Sequence, residues 1–94
     1  MKIAELKNGM TNVTLEAKVT DKSERKSVLT RYGRREVANI TLEDETGEIK
    51  ASLWEDQIDK VNVGDNVKIS GAFVSEFKDE LQLNIPKRGK IEVI

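Results

Sequence analysis

Apolar residues recur along this chain with a period of two. Val13, Leu15, Ala17 and Val19 alternate with Thr14, Glu16, Lys18 and Thr20, the pattern of a strand with one buried face. The alternation returns at Ala38–Leu42, at Ile49–Leu53, from Val67 to Ser70, and at Leu81–Ile85. Five strands and no long helical pattern are therefore expected.

The connections refine this. Asp44-Glu45-Thr46-Gly47 joins the second and third strands, and Gly47 is expected to supply a positive φ that closes a short hairpin. Between the third and fourth strands lies Glu55 to Val63. There Ile58 and Val61, three apart, would face inward from one or two helical turns. Gly64-Asp65 turns the chain into the fourth strand. A longer polar segment, Lys22 to Arg34 with Gly33 near its tip, links the first two. Ile3, Leu6 and Met10 are placed to cover one end. After the fifth strand Pro86 ends ladder pairing, and Ile91, Val93 and Ile94 suggest a closing edge. Three strands, a short helical connector and two strands is the order of the OB-fold, an all-β five-stranded Greek-key barrel. An SH3-like barrel and a small sandwich fit the same strand count. No repeat, linker or low-complexity tract divides the chain, so residues 1–94 read as one domain.

Composition narrows the chemistry. The chain has no histidine and no cysteine, which excludes imidazole bases, triads, disulfides and thiolate zinc sites. No apolar run approaches the ~20 residues of a membrane span, and the N-terminus lacks a signal-peptide core. A soluble intracellular domain without cofactor, metal, membrane or small-molecule substrate is expected. Sixteen basic residues against 17 acidic give a net charge of -1, which by itself argues against a polyanionic partner. The charge is unevenly spread, however. Residues 18–35 hold Lys18, Lys22, Arg25, Lys26, Arg31, Arg34 and Arg35 against Asp21 and Glu24, whereas residues 36–48 hold five carboxylates and no cation.

Four aromatic residues carry the candidate chemistry. If Ile49, Ala51 and Leu53 point inward, Lys50, Ser52 and Trp54 point outward. Trp54 is then either a stacking platform for a nucleic-acid base or a plug folded over the barrel end. Strict parity from Val67 and Ile69 sends Phe73 inward, but a bulge at Gly71 would reverse it and bring Phe73 out beside Trp54. Phe77, flanked by Glu76 and Lys78, is expected to be exposed. Tyr32 sits between Arg31 and Gly33 in the basic segment, where cations interleaved with an aromatic suit phosphate pairing plus base stacking. Glu43-Asp44-Glu45 occupies one tight turn. Adjacent carboxylates there do not converge on a metal, so an enzymatic reading is not sustained. Isolated Gly64 and Gly89 form no phosphate-cradling loop.

The string from Leu42 through Asp44-Glu45-Thr46-Gly47-Glu48-Ile49-Lys50 to Trp54 resembles the central hairpin of archaeal single-stranded-DNA-binding proteins. So do Val63-Gly64-Asp65-Asn66-Val67, the segment Gly71 to Lys78, Leu81-Gln82-Leu83-Asn84, and Tyr32-Gly33-Arg34-Arg35. Together, from about Ile3 to Val93, they are similar to the replication protein A-like OB domains. The resemblance implies single-stranded DNA binding in replication, recombination and repair, with a cytoplasmic, nucleoid-associated place and other replication or repair proteins as partners. It also implies that Trp54, Phe73 and Phe77 stack on bases, that Phe73 faces outward beyond a bulge at Gly71, and that Lys26, Arg31 and Arg35 lie along the DNA path. Relatives often carry a larger aromatic at the position of Phe73. The Gly/Arg-rich tail and the zinc module of some members are absent from these residues, so the chain is expected to be either a minimal form or, as the abrupt stop at Glu92-Val93-Ile94 favours, one domain of a longer replication protein A. A protein-docking OB domain, an RNA binder and, more distantly, an OB-fold nuclease are the rival readings.

Overall fold

In a computed structural model, which describes residues 2–86 and 89–94, a 3-10 turn at Ile3–Glu5 precedes β1 (Val13–Lys22), β2 (Lys26–Thr30), β3 (Gly33–Asp44) and β4 (Gly47–Trp54). A single helical turn, α1 (Asp56–Asp59), leads into β5 (Asn66–Phe77), β6 (Glu80–Asn84) and β7 (Lys90–Val93). The strand order β1-β3-β4-β6-β5 closes because β5 also pairs with β1. These five strands form the expected OB barrel. Every pairing is antiparallel except β4 with β6. That parallel pair requires a crossover, which α1 and β5 supply.

The inward positions named by the alternation are the buried ones: Leu15, Val19, Ile40, Leu42, Leu53, Val67, Ile69 and Leu83 are at most 1% exposed. Ile3 and Leu6 close the barrel at the β3–β4 turn, and Ile58 and Val61 close it beyond Trp54. The connector is one turn long. Lys22 fastens it to the barrel, its ammonium donating to the carbonyls of Ile58 (2.6 Å) and Val61 (2.7 Å).

Two features differ from expectation. The polar segment Lys22 to Arg34 is not a loop: β1 runs on to Lys22, and β2 pairs with β3 as a projecting hairpin from Lys26↔Val37 to Thr30↔Gly33. Neither of its faces is buried, so it has no apolar alternation by which it can be recognised, and Leu29 is 82% exposed. The β3–β4 turn also closes differently. Gly47 has φ 159°, nearly extended, so no left-handed backbone is needed. The Asp44 carboxylate holds the turn instead, accepting from the Thr46 N–H (2.7 Å) and hydroxyl and the Gly47 N–H (3.2 Å), while its other oxygen accepts from Ile3 N–H (2.8 Å). Partial burial pushes this carboxyl up, but the hydrogen bonds from Thr46, Ile3 and Gly47 outweigh it and lower the pKa from 3.8 to about 2.

The parity of β5 turns on one glycine. On β1, Leu15 and Val13 are two residues apart, whereas their partners Ile69 and Ala72 are three apart, so β5 carries one extra residue. Gly71 lies within it at φ 69°, the left-handed conformation of a glycine bulge. Val67 and Ile69 face inward before it, Ala72 and Val74 after it, and Phe73 emerges 40% exposed.

Candidate nucleic-acid interface

The outward side chains of β3, β4, β6 and β5 form a grid fixed by register. Ser52 lies between Asn39 of β3 and Asn84 of β6, and Asn84 faces Phe73 of β5. One row along, Lys50 lies between Thr41 and Gln82, and Gln82 faces Ser75. Trp54 ends β4 beside Val37, and Phe77 ends β5 opposite Glu80. Four residues on one strand place Phe73 and Phe77 about 13 Å apart along β5. Between the aromatics runs a polar floor, in which the Ser52 hydroxyl donates to Asn39 Oδ1 (3.1 Å) and Asn84 Nδ2 donates to the Ser75 hydroxyl (2.8 Å).

Trp54 is half-buried and outward, as the alternation of β4 requires. Its backbone N–H donates to Gln57 Oε1 (3.1 Å) where the chain leaves the strand. The Arg35 guanidinium lies over the indole, 5.3 Å from its centroid, and Arg35 Nε donates to Glu55 Oε1 (3.1 Å). Tyr32, Arg35, Trp54 and Phe73 share the walls of an open cleft of about 1130 Å³, together with Glu55 and Asp56. A smaller hollow of about 310 Å³ continues the face, lined by Lys50, Phe77 and Lys78 around Asn39, Ser52 and Gln82. Lys78 lies 5.4 Å from the Phe77 centroid, and Lys50 approaches Glu80 at 3.9 Å.

Of the ten candidate nucleic-acid-binding residues in the sequence, Tyr32, Arg35, Lys50, Trp54, Phe73, Phe77 and Lys78 line these two hollows, whereas Lys26, Arg31 and Arg34 line neither. Lys26 and Val28 lie opposite Val37 and Arg35, on the hairpin face that looks toward Trp54. Arg34 lies opposite Leu29 on the other face, and Arg31 is at the exposed tip with Tyr32. The basic segment is also partly committed within the fold. Lys22 binds carbonyls, Arg25 bridges Glu36 (2.9 Å) and Asp59, and Arg35 holds Glu55. Glu43, Asp44, Glu45 and Glu48 gather at the far end of β3, away from the hairpin. Asn39, Gln82, Asn84 and Glu55 were missed. The first three carry the same outward parity as Trp54 and were within reach of the alternation; Glu55 gives no sequence signal.

Residues 6–93 match the family described as "Single-stranded DNA binding protein Ssb-like, OB fold". The chain is 33% identical over 90 residues to the single-stranded DNA binding protein Ssb of Saccharolobus solfataricus, covering 96% of this chain and 61% of that protein. It thus spans about three fifths of that relative's length. Among solved structures, the replication factor A related protein of Methanobacterium thermoautotrophicum superposes with a TM-score of 0.84 at 26% identity, covering all of this chain and 89% of that one. The second OB-fold domain of replication protein A from Methanococcus maripaludis gives 0.83 at 26% identity, covering all of this chain and 93% of that one. Sequence and barrel topology agree: this chain belongs to the Ssb-like OB-fold family of single-stranded DNA binding proteins, akin to the OB domains of archaeal replication protein A.

Proposed function

We propose that the domain acts as a non-catalytic clamp on single-stranded DNA. The strand lies across β3, β4 and β6, its bases stack on Trp54, Phe73 and Phe77, and its phosphates run beside Arg35, Lys50 and Lys78 and the projecting cations Lys26 and Arg31. The observation that carries this reading is the exposure of three aromatics on one face, separated by a polar floor and flanked by a basic hairpin. Aromatics packed into the barrel would instead favour a protein-docking domain. Each base stacked on such a ring contributes about 1–3 kcal/mol whatever its identity, so binding is tolerant of sequence. Three to four phosphate contacts give a log–log salt slope of about -2 to -3. One such domain binds modestly; tight binding comes from tethered copies. Kinship with single-stranded DNA binding proteins and replication protein A supports a role in DNA replication, recombination and repair, inside the cell at the nucleoid and among other replication or repair proteins.

Titration of the protein with oligo-dT, followed by Trp54 fluorescence, tests the reading. Quenching is expected in the parent, and Trp54→Ala, which lacks the reporter and is read instead by the anisotropy of labelled oligo-dT, should lose at least tenfold in affinity, about 1.4 kcal/mol. Absence of quenching, together with unchanged affinity in Trp54→Ala, overturns it.

A further inference from the structure

Glu55 is an unexpected residue to find in a cleft built for a polyanion. It lies between Trp54 and α1, in the wall shared with Tyr32 and Phe73, and Asp56 adds a second carboxylate beside it. Its backbone is at φ 51°, ψ -122°, a conformation that favours glycine over any residue bearing a side chain. A non-glycine residue is held there by its surroundings: its N–H donates to the Glu36 carbonyl (3.0 Å), and its carboxylate accepts from Arg35 Nε (3.1 Å). The same guanidinium lies over the Trp54 ring. Glu55 thus occupies the one cation that, among the described residues, lies directly against the principal stacking surface.

We propose that Glu55 is a positioning residue that competes with the DNA backbone for Arg35. In the free protein it holds the guanidinium across Trp54; an arriving phosphate takes the guanidinium away as a base enters the cleft. The proposal rests on the single-stranded DNA reading above and says how that site sets its affinity and salt response. A phosphate offers Arg35 the same bidentate oxygen geometry as a carboxylate, so the exchange replaces one charge-assisted pair by another. The displaced carboxylate then stands unpaired near the strand, which weakens the complex and offsets part of the counterion release that Arg35 would otherwise give.

The test uses Glu55→Gln, with Glu55→Gly as a second variant that removes the same carboxylate and relaxes the backbone. Circular dichroism establishes that both fold. Trp54 emission of the DNA-free variants is expected to shift as Arg35 leaves the ring. Affinity for oligo-dT at low salt is expected to rise about two- to fivefold, the range for an exposed ion pair. The salt slope should steepen by up to about 0.7, one further phosphate contact. With Arg35→Ala as background, the slope increment disappears. Unchanged emission of the free variants overturns the hold on Arg35. Folded variants that bind oligo-dT no more tightly than the parent, with the parental slope, overturn the competition. If the parent protein itself gives no response to oligo-dT while the free variants shift their emission, the DNA reading fails and the hold on Arg35 stands.

Discussion

Acid should loosen this barrel at one identifiable point. Asp44 ties the N-terminal 3-10 turn to the β3–β4 turn through four donors, and these lower its pKa from the ordinary 3.8 to about 2. A folded-state value below the unfolded one stabilises the fold above about pH 4, and that stability disappears as pH falls from about 4 to 2. At 1.36 kcal/mol per pH unit the depression corresponds to about 2.4 kcal/mol, and screening at this half-exposed turn reduces it to about 1–2 kcal/mol. Asp44→Asn keeps one acceptor oxygen but loses the second, so Ile3 N–H is left without its partner. The variant should therefore unfold in urea with about 1–2 kcal/mol less stability at pH 7, an unchanged m-value, and nearly the parental stability at pH 2. Trp54 fluorescence reports the transition. Because other carboxylates titrate in both proteins, the difference between the two isolates Asp44. An equal deficit at pH 7 and pH 2 would refute the argument, since the loss would then come from shape and not from charge.

Two further outcomes follow from the geometry. Arg34 and Arg35 lie on opposite faces of the hairpin, so Arg35→Glu should weaken oligo-dT binding several-fold and flatten the salt slope, while Arg34→Glu has a smaller effect on both; equal effects in a salt titration would remove the face assignment. Lys78 and Asp79 form a two-residue turn with φ 52° and 66°, the left-handed pair that glycine and asparagine adopt most easily, so Asp79→Gly should raise stability by about 1 kcal/mol in a thermal melt, and a lower midpoint would contradict it.

What the sequence revealed was whatever the hydrophobic effect had written into it with period two. The five barrel strands were legible because each has one face against the core, and Trp54 was assigned its outward direction by the same parity. Parity fails wherever a residue is inserted. Phe73 could not be placed by counting from Val67, because one extra residue in β5 moves every later side chain to the other face, and Gly71 marked only where that insertion was allowed. The β2–β3 hairpin was illegible for a different reason: with both faces in solvent, its residues have no common burial to repeat. Side-chain charge was legible in number and not in use. Lys22, Arg25 and Arg35 look identical to Lys26 and Arg31 in the sequence, yet the first three are engaged with carbonyls and carboxylates of the fold itself.

The near-zero net charge is reconciled with a polyanionic ligand by distance. β3 runs for twelve residues from Gly33, at the basic tip, to Asp44, in the acidic turn. On β4 Trp54 is six residues from Glu48, and its β3 partner Val37 is six from Glu43, about 20 Å in either case at about 3.4 Å per residue. The Debye length is about 8–10 Å at ionic strengths near 0.1–0.15 M, so the field of the acidic turn is screened over about two such lengths before it reaches Trp54. A phosphate beside Trp54 would therefore respond mainly to Arg35 and the hairpin cations, and only weakly to Glu43, Asp44, Glu45 and Glu48. The carboxylates it does meet are Glu55 and Asp56, inside the cleft and within one screening length. Two local negative charges outweigh four remote ones at this site, which is why the sum over the chain is a poor guide to its ligand.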